Sequence, residues 1–300
     1  MNFGKKQIEI ISALLVVYIF WGGTYLGMKI GIETIPPFML AGFRFLIAGI
    51  ILYVYATLRG ASKPTFENWK TSGIIGALLL LGGNGIVCWA EQTVPSGIAA
   101  LLIATVPLWI MLIGFFGREK TRHSFGSMAG VALGLVGIAI LVLPNMLYQQ
   151  SNSSIDPIGL FAIIFASFSW SLGSLYSRKA THHSSALLSN GMQMILGGIF
   201  LLIVAYFMGD FSNFHIQNVS IRSMLGFWYL VIFGSIIAYS SFIWLLKNTE
   251  PLWVSTYAFV NPVVAVFLGY FLAGEVLGLN SIISSIIIIL SVVIITVFKR

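Results

Sequence analysis

Apolar stretches of about 20 residues recur from one end of this 300-residue chain to the other, separated only by short polar connections. A run of that length spans the roughly 30 Å hydrocarbon core of a bilayer as an α-helix. Backbone that enters lipid must satisfy its own hydrogen bonds, so a chain of such runs folds as a helical bundle in the membrane. Charged residues make up 8% of the sequence, against about 25% in a soluble domain. Little polar sequence is left over for a soluble domain.

The pattern predicts spans at roughly 7–30, 36–58, 70–91, 95–116, 124–143, 157–178, 184–208, 224–246, 251–272 and 279–298. Lys5 and Lys6 followed by the run from Ile8 imitate a secretory signal. The run is longer than a signal core and lacks a small-residue cleavage site, so it reads as the first retained span. Pro36, Pro37, Pro95, Pro157 and Pro251 stand at or near span starts, where proline costs no helical hydrogen bond.

Basic residues test this count. With the N-terminus inside, 13 of the 16 Lys and Arg residues fall on the inner side, Lys29 and Arg222 fall outside, and Arg44 lies within a span. The excess places both termini in the cytoplasm. Dropping or adding one span scatters the basic loops over both sides. The net charge of +7 is thus topology control spread over short loops, with no nucleic-acid partner implied.

The two halves echo one another. Trp89 precedes Pro107 by the same spacing as Trp244 precedes Pro262. Pro95 and Pro251 open the fourth and ninth spans, and Glu119 and Glu275 follow them. Trp21, Tyr25 and Lys29 find counterparts in Trp170, Tyr176 and Lys179. The expected organisation is two repeats, 1–146 and 147–300, each of five spans. An odd number of crossings inverts the second copy, a plan of secondary transporters that bind solute near the midplane.

Several motifs carry a family resemblance. Phe20-Trp21-Gly22-Gly23-Thr24-Tyr25, Lys29, Pro36-Pro37 and Arg44-Phe45 form one set. Ala90-Glu91-Gln92-Thr93-Val94-Pro95-Ser96-Gly97 with Ala104-Thr105-Val106-Pro107-Leu108-Trp109 forms another, and Asn261-Pro262 with Gly274-Glu275 a third. Together they resemble the EamA-type transporters of the drug/metabolite transporter superfamily, and most of all the metabolite exporters of bacterial inner membranes. The resemblance implies an all-α fold of ten transmembrane helices in two inverted EamA repeats. It also implies a central cavity, alternating access, and small substrates such as amino acids, amines or drug-like compounds.

The few polar groups within spans are the site candidates, because burying them in a bilayer is costly. Arg44 suits an anionic solute group or the outer mouth, and could instead pair with Glu33 or Glu91. Glu91 is the carboxylate nearest the interior and the candidate carrier if protons are coupled. Gly82-Gly83-Asn84-Gly85 weakens the third span and offers Asn84 to a solute. Thr105 and Asn261 lie beside the mid-span prolines, Pro107 and Pro262, read as paired hinges. The aromatics Trp21, Tyr25, Trp89, Trp109, Trp170, Tyr239, Trp244 and Tyr257 suggest a cavity wall, bordered by Trp21, Asn84 and Trp109. Gly126, Gly130 and Gly134 mark a close-packing face, compatible with a monomer or a weak homodimer.

No enzyme signature accompanies these residues. The four histidines fall in loops, no zinc or phosphate-binding motif occurs, and no metal or cofactor is expected. A membrane-embedded enzyme or a passive channel are the competing functions. An enzyme needs catalytic groups close together, whereas the nine acids lie at span ends or in loops.

Overall fold

A computed structural model describes residues 4–94, 99, 102–116, 124–148, 157–273 and 279–298. Pro95, Glu119 and Glu275 lie outside the described residues. Among the described residues the chain is helical and contains no strand. We label the helices α1 (Lys5–Gly31), α2 (Pro37–Leu58), α3 (Phe66–Ala90), α4 (Val106–Phe116), α5 (Phe125–Tyr148), α6 (Pro157–Lys179) and α7 (Ala186–Phe207). The short α8 (Asp210–Asn213) precedes α9 (Ile221–Asn248), α10 (Pro251–Val254), α11 (Tyr257–Ala273) and α12 (Leu279–Val297). Six of them, α1, α2, α3, α6, α7 and α9, are long and apolar enough to cross a membrane, and shorter apolar helices cover 106–116, 125–140 and 282–297.

Helix starts follow local chemistry. Pro37 opens α2 and Pro251 opens α10. Thr65, Ser185 and Ser220 accept backbone N–H groups at the starts of α3, α7 and α9, which satisfies donors a helix end otherwise leaves bare.

The packing is reciprocal between halves. Helix α2 lies against α7, and α5 against α12. Helix α1 packs on α9 and α11, while α6 packs on α3 and α4. Glycines set the first contact. A Cβ on Gly49 would stand 2.8 Å from the Gly191 carbonyl oxygen, and one on Gly198 2.9 Å from that of Gly42. Advancing along α2 therefore means retreating along α7, so the two run antiparallel with touching backbones. The second contact repeats the geometry, with Gly126, Gly130 and Gly137 of α5 facing Phe298, Ile295 and Ile288 at the end of and within α12.

Two departures from regular helix were not foreseen as such. Residues Gly76–Gly85 in α3 and Leu230–Tyr239 in α9 are π-helical, one wide-wound stretch in each half. Widened turns leave carbonyls poorly matched, and neighbouring side chains reach them. Ser169 of α6 donates to Leu78 O at 2.8 Å, and the Trp21 indole of α1 donates to Gly234 O at 3.0 Å.

The second departure corrects one of the two expected mid-span kinks, that at Pro107. The fourth span turns at 104–105 and resumes at Val106, so Pro107 is the second residue of α4. There its missing N–H costs nothing. The ninth span also breaks, at 255–256, and Pro262 sits inside α11. Serines again reach the break: Ser167 and Ser171 of α6 donate to the Leu102 and Val106 carbonyls at 3.1 and 3.2 Å. Helix α5 also runs to Tyr148, beyond the expected end at 143 and past the expected repeat boundary at 146.

Candidate functional site

A cavity of about 70 Å³ opens where α1, α2, α3, α4, α6, α9 and α11 converge. That is room for a few waters or part of a small solute. Both halves build it. Trp21, Thr24, Tyr25 and Met28 come from α1, Arg44 and Phe45 from α2, Asn84 and Val87 from α3, and Ile103 and Val106 from the broken span. Ala166, Ser167 and Trp170 of α6, Gly234 and Tyr239 of α9, and Tyr257 and Asn261 of α11 complete it.

Arg44 is the cavity's fixed charge. It sits in the second turn of α2, is 2% exposed, and donates through Nη2 to the Asn84 side-chain oxygen. Its guanidinium carbon lies 4.4 Å from the centre of the Phe45 ring, and its Nε has no hydrogen-bond partner. Arginine stays protonated in proteins, so the cavity carries a positive charge. The expected pairings differ from what is found: Glu33 instead pairs with Arg222 at 3.6 Å, and Glu91 makes no hydrogen bond to Arg44. Glu91, one residue past α3, is near enough to Arg44 and Lys29 to interact electrostatically. Both its carboxylate oxygens are buried without a hydrogen-bond partner.

Aromatic rings close one side. Trp21 meets Trp170 and Tyr257 edge-to-face at 5.5 and 4.9 Å, and Phe242 touches all three at 5.0 to 5.8 Å. Such contacts stiffen the wall beyond simple burial. Tyr239 donates to Gln193 Oε1 at 2.9 Å, which fixes its hydroxyl. The side-chain amide of Asn261, 2% exposed, comes within 3.1 and 3.3 Å of the Tyr257 and Tyr18 carbonyls, which only its nitrogen can hydrogen-bond.

The structure thus brings together Trp21, Tyr25, Arg44, Asn84, Trp170, Tyr239, Tyr257 and Asn261. Trp89, Glu91, Thr105, Trp109 and Trp244 do not line the cavity. Trp109, expected on its border, lies edge-to-face on Phe168 at 5.4 Å. The Thr105 hydroxyl is taken up by the Leu102 carbonyl beside the break. Trp89 and Trp244 pack against the apolar core. A tryptophan in an apolar helix buries well on any inward face, so residue type alone does not tell wall from packing.

Sequence reasoning missed Thr24, Ser167, Gly234 and Gln193. Ser167 belongs to a serine-rich run in α6, where Ser169, Ser171, Ser174 and Ser177 are also buried. Ser167, Ser171 and Ser174 fall on one face of the helix, with Ser169 on the opposite face, and this small polar run is a usable signal. Gln193 is fully buried in α7 and had no such neighbour pattern. Among the described residues no group of three His, Cys, Asp or Glu side chains forms a metal site.

Comparison with known proteins agrees with this architecture. A solved crystal structure superposes with a TM-score of 0.76 at 18% identity, covering 97% of this chain and 98% of the other. The Escherichia coli (strain K12) protein named "Uncharacterized inner membrane transporter YedA" is 38% identical over 299 residues, 98% of this chain and 93% of its own. The Bacillus subtilis "Uncharacterized transporter YoaV" is 24% identical over 94% of each chain. The profile of the EamA-like transporter family matches twice, over residues 8–143 and 157–297. A match over nearly the whole length, in two copies, makes this chain a member of the EamA-like transporter family, a transporter and not an enzyme.

Proposed function

We propose that the protein is a secondary transporter that carries small metabolites out across the inner membrane by alternating access. Ten crossings in two inverted halves, 1–146 and 147–300, leave both termini in the cytoplasm. Antiparallel packing of α2 on α7 supports the inversion, because equivalent helices of two parallel copies would run the same way. Pro107 and Pro262 act as the paired hinges, one in each half, and each of their spans contains a break. The observation that carries the reading is Arg44, a buried charge lining a cavity built by both halves. Charges are kept inside membranes where they meet a solute or an ion. The unpartnered Glu91 carboxylate, outside the cavity but close to Arg44, is the group proposed to take up a coupled proton.

Proteoliposomes loaded with the water-soluble metabolite extract of bacterial cells test this. The expected result is protein-dependent release of a restricted set of compounds, saturable and unaccompanied by new products. Release that scales linearly with concentration and discriminates only by size indicates a channel instead. No release above empty liposomes rejects transport of these metabolites.

A further inference from the structure

We infer that the solute is a small organic anion, held by its carboxylate at Arg44 with its apolar body against the aromatic wall. The inference rests on the transport reading above and narrows its substrate class.

The hydrogen-bonding inventory of the cavity points this way. An arginine can only donate, so Asn84 must turn its oxygen to Arg44 and keep its NH2 group for other partners. Arg44 itself retains an unpartnered Nε while 2% exposed. A buried donor without an acceptor is costly, and this one belongs to a full positive charge. The unpartnered donor and the Asn84 amide both belong to residues that line the cavity. Carboxylate oxygens fit, since they accept several hydrogen bonds and carry the opposite charge.

The opposite choice, a cationic solute on the aromatic rings, meets two obstacles. Among the described residues no carboxylate lines the cavity to receive an ammonium group. Trp21, Trp170, Tyr257 and Phe242 already engage one another's rings. The ring faces offer a cation a quadrupole, but Arg44 repels it with a whole charge. Glu91 interacts with Arg44 electrostatically, yet it lies outside the lining and makes no hydrogen bond to it. Among the described residues the guanidinium therefore has no carboxylate hydrogen-bonded to it.

The same extract-loaded proteoliposomes decide the matter, with potassium and valinomycin on both sides so that moving charge does not stall release. We expect the released compounds to carry a carboxylate and no cationic group. Arg44→Gln should cut their release at least tenfold, and Arg44→Lys should restore part of it. Asn84→Asp places a carboxylate beside the guanidinium and should lower release by a similar factor in protein that still elutes as a single species. Release of amines, zwitterions or neutral solutes overturns the anion assignment and leaves transport standing. So does an anion flux that Asn84→Asp leaves unchanged. Absence of any release removes the transport reading, and this assignment with it.

Discussion

Gly49→Leu is expected to abolish accumulation of folded protein in the membrane, whereas Gly73→Ala is expected to accumulate normally. The difference is what each new Cβ meets. At Gly49 it would stand 2.7 Å from the Ile195 nitrogen and 2.8 Å from the Gly191 oxygen. Both are backbone atoms of α7, and they cannot move without moving the helix. The clash therefore separates α2 from α7 along a contact that Gly42, Gly191 and Gly198 share. In lipid no hydrophobic force draws helices together, and close packing of small residues supplies much of their association. Overpacking a soluble core costs about 1–3 kcal/mol, and a seam of two backbones has less room to relax. Even Gly49→Ala should lose stability in that range, read as a lower thermal midpoint in detergent. At Gly73 the nearest atom is the flexible Leu196 Cδ1 at 3.4 Å, and alanine favours helix by about 1 kcal/mol. Normal levels of Gly49→Leu would mean the halves are not joined through this seam.

Arg44→Met is expected to lower transport at least tenfold while leaving thermal stability equal or higher. Both effects follow from one property. Arg44 is 2% exposed, engages Asn84, and has a donor left over. Taking a charge out of water is costly, and replacing buried charges with apolar groups of similar size is often neutral or stabilising. Methionine fills the same path without that penalty. What is lost is the charge that holds the solute, and a tenfold drop corresponds to about 1.4 kcal/mol. Asn84→Leu should act differently, because it keeps the charge and removes its acceptor. A hydrogen bond to a charged group contributes about 1.5–3 kcal/mol, so this variant should lose stability as well as flux. Flux and thermal midpoint measured on the same preparations separate the two. A fall in stability for Arg44→Met comparable to that of Asn84→Leu would make Arg44 a structural tie.

Much of the architecture was readable because bilayer physics restricts the choices. Long apolar runs, proline starts and the Trp–Pro spacing gave the order of the helices. The outline of the cavity was partly readable for the same reason: Arg44 and Asn84 are polar where polarity is costly. Helix type was not readable. A π-helix differs from an α-helix by less than one residue per turn, and apolar periodicity does not resolve that. The glycines at 82, 83 and 85 hinted at the first π stretch, but the second holds Gly234 alone. Pro107 showed that the fourth span is disturbed without saying where the break falls. The serines of α6 that satisfy the freed carbonyls sit far from it in sequence, and only packing reveals them.

The most direct test of two halves working around one shared cavity is thiol labelling from each side of the membrane. Cys88 is the one native cysteine and is buried, so a Cys88→Ser background carries Ser167→Cys or Thr24→Cys, both on the cavity wall. A membrane-impermeant maleimide is then applied to right-side-out and to inside-out vesicles. Two halves that open in turn around one cavity give labelling of each cysteine from both faces, slowed by transported solute. Labelling from one face only, whatever the solute, would contradict it.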